Sequence, residues 1–374
     1  MVENKPIRIL HVLGYFNYGG AEALVMNLFR HIDRSEIMFD FVVHSEEKGA
    51  FEKEAESMGA RIFRVPQYTG KNHFKYRDAW KTLFKEHPEY AIIHGHVRST
   101  ASIYLKIAKE YGLRTISHSH SISSGSGLSA AVKNLMQKRI RHTADYFLAC
   151  SHTAGEWLFG DQVVTQPNFH IMNNAIDAKQ FIFDPEKREH VRQSLNLTDE
   201  FVVGHVGRLH ESKNHFRLLD IFNQLQREHP DSRLVLVGDG ELEESIEQRV
   251  AELGLTNKVI MLGARSDTYD LLQAMDVFLF PSLYEGLGIS VVEAQASGLP
   301  CVVSTTVPDE AVITDLVTSV SLNEENAVWV EAIRTTSRDN RQETVSLKDI
   351  EDSGYDIKKV SQWYAEFINS ILKK

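Results

Sequence analysis

Short apolar runs alternate with segments of helical period along almost the whole chain. The runs at 7–13, 39–43, 61–65, 91–93, 115–117 and 146–149 read as strands, and helical patterns separate most of them. Segment 21–30 puts Leu24, Val25 and Leu28 on one inward face of a helix. The pattern then starts again, with strand-like runs at 201–206, 234–237, 259–262, 277–280 and 301–303. Helical periods at 215–227, 242–253 and 268–274, and another from about Ile289, lie between them. Buried strands that alternate with helices predict α/β architecture, with parallel sheets covered on both faces. Two doubly wound, Rossmann-like domains are expected, 1–172 and 173–355, joined near 170–185. A tail helix over 356–372 carries Trp363, Phe367 and Ile368 near one stripe.

A chain of 374 residues with 43% hydrophobic content has ample material for two cores. The net charge of -10 argues against nucleic acid as a partner. It is unevenly spread: residues 1–170 carry +4 and the remainder -14, and 12 of the 17 histidines lie in the first part. Two stretches of that first part mix basic and apolar residues. One has Lys71, Lys75, Arg77, Lys81 and Lys85 with Phe74, Trp80 and Phe84; the other has Lys133, Lys138, Arg139 and Arg141 with Leu135, Met136 and Ile140. Each is either a solvated helix face over a core stripe or a surface that docks on an anionic membrane. Cys150 and Cys301 sit in strand-like runs and give no disulfide framework, which fits a reduced, cytoplasmic setting. The N-terminus reads as a first strand rather than a signal peptide, and no apolar window is long enough to span a bilayer. The expected location is cytoplasmic, peripheral on the inner face of the cell membrane.

Ligands of doubly wound sheets bind beyond the carboxyl ends of the strands, so the residues after each strand are the candidates. The most informative stretch is 280–300, FPSLYEGLGISVVEAQASGLP. Pro281 stops a strand, and Gly286 and Gly288 flank Leu287 in a loop that enters a helix at Ile289. Backbone N–H groups and a helix N-terminus there suit a phosphate. Glu285 in the loop and Glu293 within the helix bracket this region. After the first strand comes Gly19-Gly20 at a helix start, where the backbone can approach a phosphate closely. Gly207-Arg208-Leu209 with Lys213 follows the strand at 201–206, placing a guanidinium and an ammonium across one loop. Gly238-Asp239-Gly240 and Gly263-Ala264-Arg265 end two further strands. The pairs His94/His96 and His118/His120 suggest metal at first sight. The i, i+2 spacing is read as sending the members of each pair to opposite sides, and no Cys or Asp cluster accompanies them, so no metal is expected.

As a set, these motifs resemble retaining glycosyltransferase family 4, which has the two-domain GT-B architecture, and within it the bacterial exopolysaccharide and capsule enzymes. The resemblance spans nearly the whole chain. It implies that Gly19 and Gly20 face a donor diphosphate, and that His120, with His118 second, contacts the donor sugar. It implies that Arg208 and Lys213 neutralise the leaving nucleotide and that Arg265 lies near the base. Gly286, Leu287, Gly288 and Ile289 would line the phosphates, Glu285 the sugar and Glu293 the ribose. Asn174 and Asp177 keep part of a linker motif usually written Pro-Asn-Gly-Ile-Asp, although Asn173 and Ala175 replace its Pro and Gly. The tail helix, 356–374, is expected to return to the first domain. The function implied is metal-independent transfer of a sugar, with retention, from a nucleotide-sugar, a UDP-sugar being expected, to a saccharide or lipid-linked saccharide, with no cofactor. An epimerase or phosphorylase on the same fold, or a non-catalytic glycan- or nucleotide-binding subunit, remain alternatives.

Overall fold

The computed structural model describes residues 6–121, 134–336, 341, 345 and 347–373. Two compact units emerge, Met1–Ala175 with Ile357–Lys374, and Ile176–Asp356.

The first unit is built on a parallel sheet of β1 (Ile7–Leu13), β2 (Ile37–Val43), β3 (Ile62–Arg64), β4 (Ile92–Gly95), β5 (Arg114–Ser119), β6 (Tyr146–Ala149) and β7 (Phe169–Ile171). Its order is β3-β2-β1-β4-β5-β6-β7, so the direction of winding reverses between β1 and β4. Strand alternation sorts the side chains of β1 into two cores. Ile9 and Leu13 join Val25, Phe29, Phe39 and Phe41 on one face, while Leu10 and Val12 join Trp80, Tyr104, Leu105 and Phe147 on the other. The helix Ile357–Leu372 belongs to the first of these cores, through Tyr364, Phe367, Ile368 and Ile371.

The second unit has a six-stranded parallel sheet of β8 (Phe201–Val206), β9 (Ser232–Val237), β10 (Val259–Met261), β11 (Val277–Phe280), β12 (Cys301–Ser304) and β13 (Val317–Val320), in the order β10-β9-β8-β11-β12-β13. Its winding reverses between β8 and β11. Leu218, Leu219, Phe222 and Trp329 pack with Val203, Leu234, Val277 and Val302 in its core.

Strands β7 and β13 are absent from the sequence reading. Both are short outer strands of their sheets, and β13, Val-Thr-Ser-Val, is half polar. In the two basic stretches the apolar residues divide between core and solvent. In the helix His73–Glu86, Trp80 and Phe84 are buried in the core and only Phe74, at 81%, points to solvent. Ile140 is likewise buried while Leu135 is 68% exposed. Lys133 lies outside the described residues. Among the described residues, no helix is long and apolar enough to cross a membrane.

Candidate functional site

In the second unit, candidates gather where the winding reverses. The loop after β8 and the loop after β11 are stitched together. Leu283 donates its N–H to the Ser212 carbonyl at 2.8 Å, and Asn214 Nδ2 donates to the Pro281 carbonyl at 3.0 Å. Asn214 does so from a left-handed backbone, φ 56°, between the short turn Glu211–Lys213 and the helix His215–Glu228. Lys213 crosses between the loops: its Nζ lies 2.6 Å from Glu285 Oε1 and 4.6 Å from the centre of the Phe280 ring. Among the described residues, only Lys213 donates to the Glu285 carboxylate. Two candidates assigned separate tasks from sequence therefore form one ion pair.

Gly288 enters the helix Ile289–Ala296 with φ 84°, a conformation that side-chain-bearing residues rarely adopt. Leu287 is buried beside it and anchors the loop. Glu293, in the same helix, is partly buried. Among the described residues nothing donates to its carboxyl, and burial pushes its pKa up to about 7. The loops after β8 and β9 approach closely as well. A side chain at Gly238, φ 139°, would run into the Gly207 carbonyl, and the Asp239 carbonyl accepts from Leu209 N–H at 2.7 Å.

The remaining cations are placed differently. Arg208, 69% exposed, pairs with Glu241 at 3.2 Å. The Arg265 Nε donates to Asp267 Oδ1 at 2.8 Å. Neither shares a carboxylate with Lys213, so each cation of the expected diphosphate grip has its own counter-ion.

In the first unit, Gly19 caps the helix Gly20–His31, but its N–H already donates to the Asn17 carbonyl at 2.9 Å. A side chain at Gly19 would meet the Glu22 carboxylate, which lies over the helix start. Asn174 is buried, and among the described residues its Oδ1 has no partner. His118 and His120 are joined by residues that the sequence reading set aside. Register pairs His11 with His94 across β1 and β4, and His94 with Ile116 across β4 and β5. His11, His94 and His118 therefore share one face of the sheet. His96 and His120 follow, each two residues on. Their rings lie 4.3 Å from His94 and 3.9 Å from His118, respectively.

This corrects the expectation that the pairs diverge: residues two apart along a strand return to the same face. The ligand atoms of His11, His94 and His96 lie within 4.8 Å of one another, and so do those of His96, His118 and His120. The spacing of these histidines therefore permits a metal ion. A hydrogen-bonded line runs from His11 Nδ1 to His96 Nε2 at 3.0 Å and from His96 Nδ1 to His120 Nε2 at 2.8 Å. Burial lowers the pKa of each ring, to about 3 for His11 and His120, so the imidazoles are neutral at physiological pH. The link of His11 to the others is purely tertiary, made by the alignment of β1 with β4.

Residues 18–180 match the family model described as Glycosyltransferase Family 4, and residues 186–348 match that described as Glycosyl transferases group 1. EpsF of Bacillus subtilis (strain 168), a candidate glycosyltransferase by name, is 33% identical over 356 residues, which cover 93% of either chain. The UDP-Gal:alpha-D-GlcNAc-diphosphoundecaprenol alpha-1,3-galactosyltransferase of Escherichia coli is 30% identical over 234 residues, 60% of either chain. Among solved structures, HepE of Anabaena in complex with UDP and glucose aligns with a TM-score of 0.80 at 20% identity, over 97% of this chain and 100% of that one. Such distant identity speaks to the fold. With EpsF matching along nearly its whole length, and family models matching both halves, the protein belongs to glycosyltransferase family 4 and has the GT-B fold.

Proposed function

We propose that the protein moves a sugar from a UDP-sugar to a lipid-linked saccharide during assembly of a cell-surface polysaccharide, with retention of anomeric configuration. The observation that carries this reading is the Lys213–Glu285 pair beside the Gly288-entered helix, at the reversal point of the second sheet. A cation, a helix start and a carboxylate are gathered there, which is what a diphosphate leaving from a sugar requires. The names of the relatives agree in chemistry. The E. coli enzyme uses UDP-Gal and a diphosphoundecaprenol acceptor, and HepE was crystallised with UDP and glucose.

In this reading the second unit holds the nucleotide and the first the acceptor. Glu293 takes the ribose hydroxyls, and the base lies near Arg265. Lys213, Arg208 and the backbone N–H groups of Gly286, Leu287, Gly288 and Ile289 stabilise the charge that develops on the leaving diphosphate. Electrostatic stabilisation of this kind is often the largest catalytic contribution. No divalent ion is required at the diphosphate. Glu285 holds sugar hydroxyls through the oxygen that Lys213 leaves, and favours positive charge at the anomeric carbon. Gly19, Gly20, Asn174, His118 and His120 complete the donor contacts from the first unit. The acceptor hydroxyl attacks on the leaving-group face, its oxygen bonding to the anomeric carbon as the carbon–phosphate oxygen bond breaks. Its proton passes to the departing phosphate. The exposed Phe74 and Leu135, with Lys71, Lys75, Lys138 and Arg139 near them in sequence, dock the first unit on an anionic membrane where the acceptor resides.

The test is turnover of UDP-sugars with a lipid-diphosphate saccharide acceptor, with the product's anomeric configuration read by proton NMR. An α-linked product from an α-donor is expected. An inverted product overturns retention. Epimerised nucleotide-sugar, or phosphate-dependent cleavage of a glycan, overturns the transfer reading.

A further inference from the structure

We infer that His96, His118 and His120 form a binding site for a transition-metal dication of the zinc class. His118 is only 1% exposed, and among the described residues neither of its ring nitrogens has a hydrogen-bond partner. Buried polar groups are almost always satisfied, so a ring with both nitrogens orphaned needs an explanation. The line of bonds from His11 through His96 to His120 satisfies its own members in part and bypasses His118. Among the described residues, His120 Nδ1 is also buried and without a partner. A bound cation would take one of the two His118 nitrogens, imidazole being a common ligand of such ions.

Geometry supports this. Ligand atoms of the three histidines lie within 4.8 Å of one another. Zinc–nitrogen bonds of about 2.0–2.1 Å in a tetrahedron place the nitrogens about 3.4 Å apart, a spacing that modest ring rotations reach. Supporting groups are also present. His96 Nδ1 faces His120 Nε2, while its other nitrogen bonds His11, the arrangement that fixes the ring of a metal ligand. His94 stacks on His118 at 5.4 Å, with the planes 8° apart, and is itself bonded to the Tyr364 hydroxyl at 2.9 Å.

The fourth position opens on a cavity of ≈ 340 Å³ that Ser99, Ser121 and Gln137 also line. Arg98 lines it too, with its guanidinium 4.8 Å from the centre of the Trp157 ring. When His120 binds the ion through Nε2, its Nδ1 is left for a sugar hydroxyl, so the proposed donor contact and the ion use different atoms of the same ring. The three histidines all belong to the first unit, whereas Lys213 and Glu285 belong to the second.

The test uses the intact protein, stripped with a chelator, freed of it by dialysis and titrated with Co²⁺. Uptake of one equivalent with the visible absorption of four-coordinate cobalt, displaced by Zn²⁺, is expected. His118→Asn keeps a polar side chain of similar reach and should weaken Co²⁺ binding about tenfold or more. Absence of uptake by the wild type, or unchanged affinity in the variant, overturns the site. X-ray absorption of the zinc-loaded wild type needs no variant. Three imidazole nitrogens around the ion support the assignment, and fewer refute it.

Discussion

Lys213 Nζ lies 2.6 Å from Glu285 Oε1, and the two side chains are only 16% and 9% exposed. The pair joins the loop after β8 to the loop after β11, the two strands between which the second sheet reverses its winding. Each charge is tolerable at that depth because the other is present. A donor diphosphate arriving at Lys213 would compete with Glu285 for the same ammonium. In the proposed reaction this frees the carboxylate to take up sugar hydroxyls as the nucleotide binds.

The first prediction follows from that coupling. Lys213→Ala should leave Glu285 as an unpaired carboxylate and lower stability by about 3 kcal/mol. It should also lower turnover about tenfold or more, the loss of one transition-state contact. Lys213→Met combined with Glu285→Gln removes both charges. Stability should recover to within about 1 kcal/mol of wild type, while turnover stays low. Urea unfolding and initial rates on the three proteins check this. Recovery of turnover in the double variant would reduce the pair to a structural staple.

The pair also shows what could be seen in the sequence and what could not. Val277–Phe280 and the helix start at Ile289 were legible because an apolar run stopped by Pro281 and a Gly-rich loop leaves few alternatives. The positions of Lys213 and Glu285 were legible for the same reason, as strand-end residues. Their contact was not, because it depends on β8 and β11 being neighbours although β9 and β10 lie between them in the chain. The histidine cluster was obscured by a wrong step, the divergence assigned to residues two apart, and by a tertiary one, the alignment of His11 with His94 across β1 and β4. Trp80 and Phe84 were read together with exposed Phe74 because a helix of this composition offers apolar residues on more than one face.

The second prediction concerns chelation. The nucleotide's proposed cations, Lys213 and Arg208, belong to the second unit, and the proposed ion site belongs to the first. Calorimetric affinity for UDP in excess EDTA should therefore match that in Mg²⁺ to within about twofold. A larger loss restored by Mg²⁺ or Mn²⁺ would place a metal at the diphosphate and displace the assignment to Lys213 and Arg208.

The third concerns the membrane. Phe74 and Leu135 are exposed apolar side chains close in sequence to Lys71, Lys75, Lys138 and Arg139. Each basic residue near an anionic bilayer contributes about 1 kcal/mol, and this contribution is screened by salt. Sedimentation with vesicles containing anionic lipid should show binding that falls as salt rises. It should weaken further in Phe74→Ser and in Lys71→Gln with Lys75→Gln. Equal binding to neutral vesicles, or none to either, removes the docking assignment.

The last prediction concerns Glu293, whose carboxyl is raised by burial from 4.5 to about 7. The folded protein therefore keeps this proton over a range in which the unfolded chain has lost it. The contribution to stability is full below about pH 4.5 and declines as pH rises toward 7 and beyond. Glu293→Gln, which cannot ionise, should raise the melting temperature at pH 8 and change it little at pH 4. Binding should respond in the opposite sense. Ribose hydroxyls donate best to an ionised carboxylate, so a nucleotide must expel the proton when it binds below the pKa. UDP-glucose is a suitable probe because its diester phosphates stay ionised throughout. Its affinity should rise about tenfold between pH 6 and pH 8 in the wild type and stay flat in Glu293→Gln, with KM raised more than kcat is lowered. A wild-type affinity independent of pH would remove Glu293 from the nucleotide, while a variant no more stable at pH 8 would show that its carboxyl is not held protonated by the fold.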